Sequence, residues 1–428
     1  MIEFMDYVQN AFYSAVLWDR DNSYSTLTAT ANALLDFRTP SGLRLHLSSL
    51  SAANFATSYT LASHGLVDGS VSFLYSTQPM HIPSRSSLID LRNLIRGYRH
   101  ISELRRQDES DWWQIWHRGK RVDSKDALLY GRLYLPTSTL EALYLRRISP
   151  TRLLRLTCVS DSALPNGGSL LAQLQNDYGK YSTAYLYSTD SALLGFTALY
   201  NFGFDPRQAP VASAESTILS AQTASNPAVL SGDVAIDPQV GRVSAGAELY
   251  FSPLNKSGGV STGIRFATLP AHTGFPYTMT LTLNPLMGNI ATSYAVKAGK
   301  DLALSSRFAF NFYSYESDVQ VGLELWSRRP EDALGLAQAE WAKKKIRPDW
   351  AHVAIGDELR QELQDKSTVK HEAEVDGVLK ARVDQNWKIG VMWEGRIRDM
   401  LVSIGADVDL KRRDRPVGSV GLEVSYSS

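Results

Sequence analysis

Tyr277-Thr278-Met279-Thr280-Leu281-Thr282-Leu283-Asn284 puts a large apolar side chain at every second place, with hydroxyls or an amide between. Successive side chains of a strand point to opposite faces, so an extended 277–284 has one apolar and one hydroxyl-lined face. A helix would scatter the same residues around its circumference. The two-residue period returns along the chain. Leu43, Leu45 and Leu47 alternate with Arg44 and His46. Met400, Val402, Ile404, Ala406 and Val408 alternate with Leu401, Ser403, Gly405, Asp407 and Asp409, and Val420, Leu422, Val424 and Tyr426 with Gly421, Glu423 and Ser425.

Segments of this kind number about nineteen, cut by turn signals. The first nine fall near 42–50, 55–64, 67–77, 126–136, 139–148, 151–161, 169–178, 180–189 and 192–202. The other ten fall near 242–252, 258–268, 275–285, 288–298, 302–313, 317–328, 372–382, 385–394, 398–409 and 416–427. Many approach the roughly 9–11 residues that a tilted strand needs to cross a bilayer. Sandwich strands are shorter, with a mode of about 5–6 residues. Most connections are hairpin-sized, as at 149–152, 283–288 and 382–386. The fold class is therefore all-β: a transmembrane antiparallel β-barrel of about nineteen strands, closed because an open edge aggregates in water and is forbidden in lipid.

The expected layout is a helical lead-in at 1–41 and a single barrel at 42–428. Phe4, Val8, Ala11, Phe12 and Ala15 share one face of a short amphipathic helix, expected inside the pore. Three connections are long: 78–125, with Trp112, Trp113 and Trp116; 203–241, rich in Ser, Ala, Pro and Gln; and 329–371, with Leu334, Ala337, Trp341 and the basic run 343–345. They follow segments 3, 9 and 15. All odd strands of a meander run the same way, so these loops and the C-terminus emerge at one end, an expected interaction surface.

Composition narrows the function classes. Lys+Arg and Asp+Glu balance at 44 each, so no nucleic-acid partner is expected. The lone Cys158 allows no intrachain disulfide and no multi-cysteine metal site. No apolar run reaches the roughly 18 residues of a transmembrane helix. The opening residues carry Glu3 and Asp6 where a secretory signal is basic, and no Arg-rich presequence is read there. Gly259-Val260-Ser261-Thr262-Gly263 has the spacing of a nucleophile elbow, which needs a helix behind it, but the run continues as strand. The histidines lack zinc spacing, and His46 is a lumen-facing residue between leucines. No catalytic residue, metal or cofactor is expected, and the chain is not read as an enzyme.

The last segment, Ser419-Val420-Gly421-Leu422-Glu423-Val424-Ser425-Tyr426, reads polar, any, glycine, any, any, hydrophobic, any, hydrophobic. It resembles the β-signal of mitochondrial outer-membrane barrels, which makes Ser419, Gly421, Val424 and Tyr426 the candidate sorting signal. Further stretches carry a wider likeness: Phe4-Met5-Asp6, Asn22-Ser23-Tyr24, Leu34-Leu35-Asp36-Phe37, Tyr130-Gly131-Arg132, Gly246-Ala247-Glu248, Leu281 to Leu286 and Trp393-Glu394-Gly395. In their order over the chain they resemble the fungal mitochondrial distribution and morphology protein 10 family.

That resemblance implies a nineteen-strand barrel of the eukaryotic porin type in the mitochondrial outer membrane, with its N-terminal segment in the pore. It implies two sets of partners besides membrane lipids. One is the lipid-transfer and membrane-anchored subunits of the endoplasmic reticulum–mitochondria encounter structure. The other is the core barrel and peripheral subunits of the sorting and assembly machinery. Val71, Phe73 and Tyr75 share one strand face, and outward aromatics of a barrel are ordinarily lipid-facing or girdle residues. Phe73 and Tyr75 are also candidate contacts with the assembly machinery, with Tyr294 on the distant thirteenth segment a candidate for the tether. The alternative function is a general solute channel of the voltage-dependent anion channel type, which has the same strand number.

Overall fold

Nineteen strands close into one sheet in the computed structural model of this protein. It describes residues 1–64, 66–101, 103–104, 115–117, 120–122, 126–162, 164–203, 241–270, 272, 274–328, 375–411 and 417–428. The strands are β1 (Gly42–Ala52), β2 (Phe55–His64), β3 (Leu66–Ser76), β4 (Ala127–Leu135), β5 (Leu140–Ser149) and β6 (Arg152–Ser160). Then come β7 (Gly168–Asp177), β8 (Tyr181–Ser188), β9 (Leu193–Phe202), β10 (Gly241–Ser252), β11 (Ser257–Thr268), β12 (Tyr277–Asn284) and β13 (Asn289–Lys297). The last are β14 (Leu302–Asn311), β15 (Glu316–Arg328), β16 (Val375–Asp384), β17 (Lys388–Ile397), β18 (Met400–Asp409) and β19 (Val417–Ser427).

Each strand pairs antiparallel with the next. With an odd number, the first and last must run the same way, and β1 pairs parallel with β19 from Gly42 opposite Gly421 to Ser48 opposite Ser427. The expected all-antiparallel barrel is thus mixed at one seam. The alternation sets the faces. Met279, Leu281 and Leu283 are exposed on the outer wall, while Thr278 and Thr280 are buried inside. Leu43, Leu45 and Leu47 point out, and His46 and Ser48 point in. Strand ends move by a few residues from the sequence expectation. The segment expected at 385–394 is β17 at 388–397, because Gln385, Asn386 and Trp387 make the turn, with Trp387 at φ +58°.

The connections after β3, β9 and β15 leave from the end that holds the C-terminus, here the loop end; the other is the turn end. Trp112 and Trp113, the central connection from 204 to 240 and the segment 329–374 with Trp341 lie outside the described residues, whereas Trp116 belongs to a ribbon pairing 115–117 with 120–122.

The first long connection does not stand wholly outside. Residues 77–101 turn inward, and Met80, Ile89, Leu91, Leu94 and Ile95 are buried beneath helix α1 (Phe4–Ala15). The inner wall explains this: Leu74, Leu128, Leu143, Leu145 and Leu153 face the lumen there, each 7% exposed or less. A barrel with a purely polar interior could not bind an amphipathic helix; this patch buries one, at about 1.5–3 kcal/mol for a side chain the size of Phe12. The helix face is rotated from its expected position. Val8 and Phe12 are fully buried, but with Met5, Tyr7, Tyr13 and Val16; Phe4 and Ala11 are half-buried and Ala15 is exposed. The turned-in connection covers a second side of the helix, which widens the buried stripe.

From α1 the chain runs through the lumen toward the turn end. The Tyr24 hydroxyl lies 2.8 Å from that of Ser261 on β11. Helix α2 (Ala29–Leu35) packs Leu34 against Ala295 and Ala303, before Thr39 and Pro40 lead into β1.

Candidate functional site

The last strand and its seam are the first candidate. Ser419, Gly421, Glu423 and Ser425 face the lumen, and Val420, Leu422, Val424 and Tyr426 make the outer face, with Tyr426 the most open of the four named signal residues at 44%. Ser419 donates to Asp407 at 3.3 Å, and Thr39 is hydrogen-bonded to the same carboxylate. His46 of β1 lies 3.2 Å from the Glu423 carboxylate, joining the two seam strands from inside. Pro40 rests on Gly405 and Gly421, which stand opposite each other on β18 and β19. Only residues without a side chain let the backbone come so close.

The outer wall holds the second. Phe73 and Tyr75 both point outward, 47% exposed, and Phe73 stacks on Phe55 with ring centroids 6.2 Å apart. Tyr294 also points outward, beside Tyr277 at 6.2 Å, on the far side of the barrel. The structure therefore does not bring Phe73 and Tyr75 together with Tyr294.

The lumen is the third, and its polar contacts were not legible in the sequence. The Met1 ammonium and Lys380 Nζ both meet the buried Glu394 carboxylate, the lysine at 3.0 Å. Lys380 Nζ also donates to the carbonyl of Arg96 at 2.6 Å, tying the turned-in connection to β16. Glu3 pairs with Arg132 at 2.6 Å, and Asp36 takes both Nη groups of Arg307, at 2.7 and 2.6 Å. Burial first, and then Glu3, push the Asp6 carboxyl above its usual range, while Arg96 at 3.5 Å opposes them. These contacts hold the N-terminal segment at several heights of the wall. A cavity of about 2,090 Å³ remains beside it, lined by both signs of charge, among them Asp19, Arg20, Arg44, Lys297 and Glu423. Ser261, centre of the elbow-like motif, lies within β11 and is held by Tyr24. Among the described residues, no three His, Cys, Asp or Glu side chains group to hold a metal ion.

A family model described as mitochondrial distribution and morphology protein 10 matches residues 1–428. The chain belongs to that family. Proteins of this name from Phaeosphaeria nodorum and Sclerotinia sclerotiorum are each 56% identical to it over 428 residues, with full coverage of both chains. One from Podospora anserina is 45% identical, again with full coverage of both chains. The similarity to family members therefore takes in the lumenal segment and the last strand as well as the barrel wall.

Proposed function

We propose that this protein spans the mitochondrial outer membrane and acts as a scaffold in mitochondrial distribution and morphology, without enzymatic activity. Its partners in this reading are the subunits of the endoplasmic reticulum–mitochondria encounter structure, where it supports tethering and lipid transfer, and those of the sorting and assembly machinery for β-barrel proteins. Family membership over all 428 residues carries the reading. The outer wall agrees with it, since leucines, valines and aromatics stand exposed on strand after strand. So does the occupied lumen, because a helix and a chain segment fixed by ion pairs leave the interior poor as an open conduit.

The decisive experiment is purification of the tagged protein from mitochondria after chemical cross-linking, with alkaline extraction alongside. The scaffold reading expects the protein to stay with membranes and to bring down both partner sets. Release by alkali, or recovery of neither set, would sink it. A second reading, a solute channel, draws on the charged cavity beside the helix. Steady conductance of purified protein in planar bilayers, at porin-like levels, would favour it.

A further inference from the structure

Outside the seam and the aromatic strands, one region of the outer wall departs from its surroundings. On β17 the outward row Ile389, Val391, Trp393, Gly395 and Ile397 is apolar from end to end. On β5 only Leu140, Ala142 and Tyr144 are apolar before Arg146 takes the next outward place. On β6 the outward residues Leu154, Leu156 and Cys158 lie between Arg152 and Ser160, and on β7 Leu170, Ala172 and Leu174 stop at Asn176. At about 3.3 Å per residue and a tilt near 45°, the apolar band shrinks from roughly 19 Å to roughly 9 Å in depth.

Arg146 interrupts the outward row of β5 on the loop-end side, where only Ile148, at the register shift before Ser149, is exposed beyond it, and Arg152 ends the outward row of β6. Arg146 stands opposite Leu154, its face given by the neighbouring Leu145, which is fully buried inside. Arg152 lies one outward row nearer the loop end, opposite Asn176. Among the described residues neither guanidinium takes part in an ion pair. Guanidinium groups on a membrane face seek the headgroup layer, and their planar fork matches a phosphate.

The same register leads from Arg146 into a cleft. Leu154 is opposite Leu174, Leu174 opposite Tyr185, and Tyr185 opposite Phe196. These four line an outward cleft of about 670 Å³, with Tyr187 and Phe251 on its turn-end side. That volume lies within the range of about 300–1,000 Å³ usual for small-molecule sites. Any apolar furrow in a bilayer fills with acyl chains. A pair of unpaired cations at one end makes this one selective, because it fixes where the phosphate must sit.

We infer that the wall from β5 to β10 binds one membrane phospholipid, its phosphate on Arg146 and Arg152 and an acyl chain along Tyr185, Phe196 and Phe251. The inference rests on the membrane-spanning reading above. The bilayer thins toward the short band, and the bound headgroup lies deeper there than around the rest of the barrel.

The test uses full-length protein in vesicles of phosphatidylcholine and phosphatidylinositol, with a trace of phosphatidylcholine bearing a photoreactive group on its acyl chain. The inference expects adducts concentrated on β8 to β10. Exchange of Arg146→Gln with Arg152→Gln should lower them at least about tenfold, since the loss of a single charge-assisted hydrogen bond already costs that much. Arg146→Lys with Arg152→Lys should retain most of them, and Ala172→Trp, which crowds the cleft and spares both arginines, should remove them. Adducts on β12 and β17 serve as the internal reference and should not change. Even labelling around the barrel, or indifference to the Gln pair, overturns the site and leaves the spanning reading intact. Equal loss in the Gln and Lys pairs also overturns it. An outer wall with no adducts at all defeats the spanning reading itself. A photoreactive residue at Leu154 that captures one discrete protein and no lipid in mitochondrial membranes would give the patch to an acidic protein face instead.

Discussion

Pro40 occupies the space that a side chain on Gly421 would need: a methyl there would stand 2.5 Å from the carbonyl carbon and oxygen of Pro40 and 2.6 Å from the amide nitrogen of Ser41. Gly421 is also the glycine of the last-strand motif, so one residue serves the strand and the turn by which the lumenal segment enters β1. Gly42, opposite Gly421 across the seam, has φ +66° and completes that turn.

Gly421→Ala is therefore expected to loosen the seam. Backbone atoms cannot yield as a flexible side chain does, so the cost should reach about 1–3 kcal/mol. Thermal unfolding in detergent is expected to start earlier, while Gly418→Ala, whose nearest neighbour would be 3.4 Å away, changes little. Equal melting of the two variants would disprove the seating of Pro40.

The outer face of the same strand bears on insertion. Val424 stands between Leu45 and Val402, and Tyr426 next to Leu47. Changing Val424 and Tyr426 to serine should leave newly imported protein sensitive to protease and extractable by alkali. Normal integration of the double variant would remove the argument that this strand is read as a signal.

The two faces of β12 give a direct membrane test. Leu281 is 42% exposed on the outer wall, and Thr282 beside it turns inward. Arginine at Leu281 should destabilise the barrel by about 2–4 kcal/mol if it lies near mid-bilayer, and arginine at Thr282 by much less. Equilibrium unfolding in lipid vesicles measures both, and equal losses would speak against a lipid-facing wall.

Phe12 anchors α1 in the lumen with none of its surface exposed. Phe12→Ala should cost about 3–5 kcal/mol of helix docking, with the wall still closed by its own hydrogen bonds. Protease cleavage within the first twenty residues should rise while the barrel fragment persists. Loss of the whole barrel would mean that the helix is needed for closure itself.

The strand count was legible because an apolar outer face and a polar inner face impose a period of two, as at 277–284. The alternation weakens at Leu128-Leu129, at Leu143-Tyr144-Leu145 and at Leu153-Leu154, where both faces of the wall are apolar. Those runs marked the seat of α1, but apolar runs alone do not say what covers them. The inward course of residues 77–101 was hidden for the same reason. Gly421 could be found from its motif, whereas the contact with Pro40 depends on a seam joining the two ends of the barrel sequence. Arg146 looked like one more polar residue of an alternating strand; only the register shows it facing outward beside a cleft.

Partner choice is the remaining prediction. Phe73 and Tyr75 lie on β3 and Tyr294 on β13, on opposite sides of a nineteen-strand barrel. Aromatic side chains offer large contact area for little lost entropy, so on a membrane-spanning barrel, as proposed above, each patch would suit a neighbouring protein as well as lipid. Sites this far apart, with no shared neighbours, should behave independently. Phe73→Ala with Tyr75→Ala also removes the stack on Phe55, so integration must first be confirmed by alkaline extraction. With the barrel integrated, this double variant is expected to lose the sorting and assembly machinery on co-purification and to keep the tether subunits. Tyr294→Ala should do the reverse. If both partner sets fall together in either variant, or neither falls in both, the two patches do not divide the partners and the outward aromatics are lipid-facing residues only.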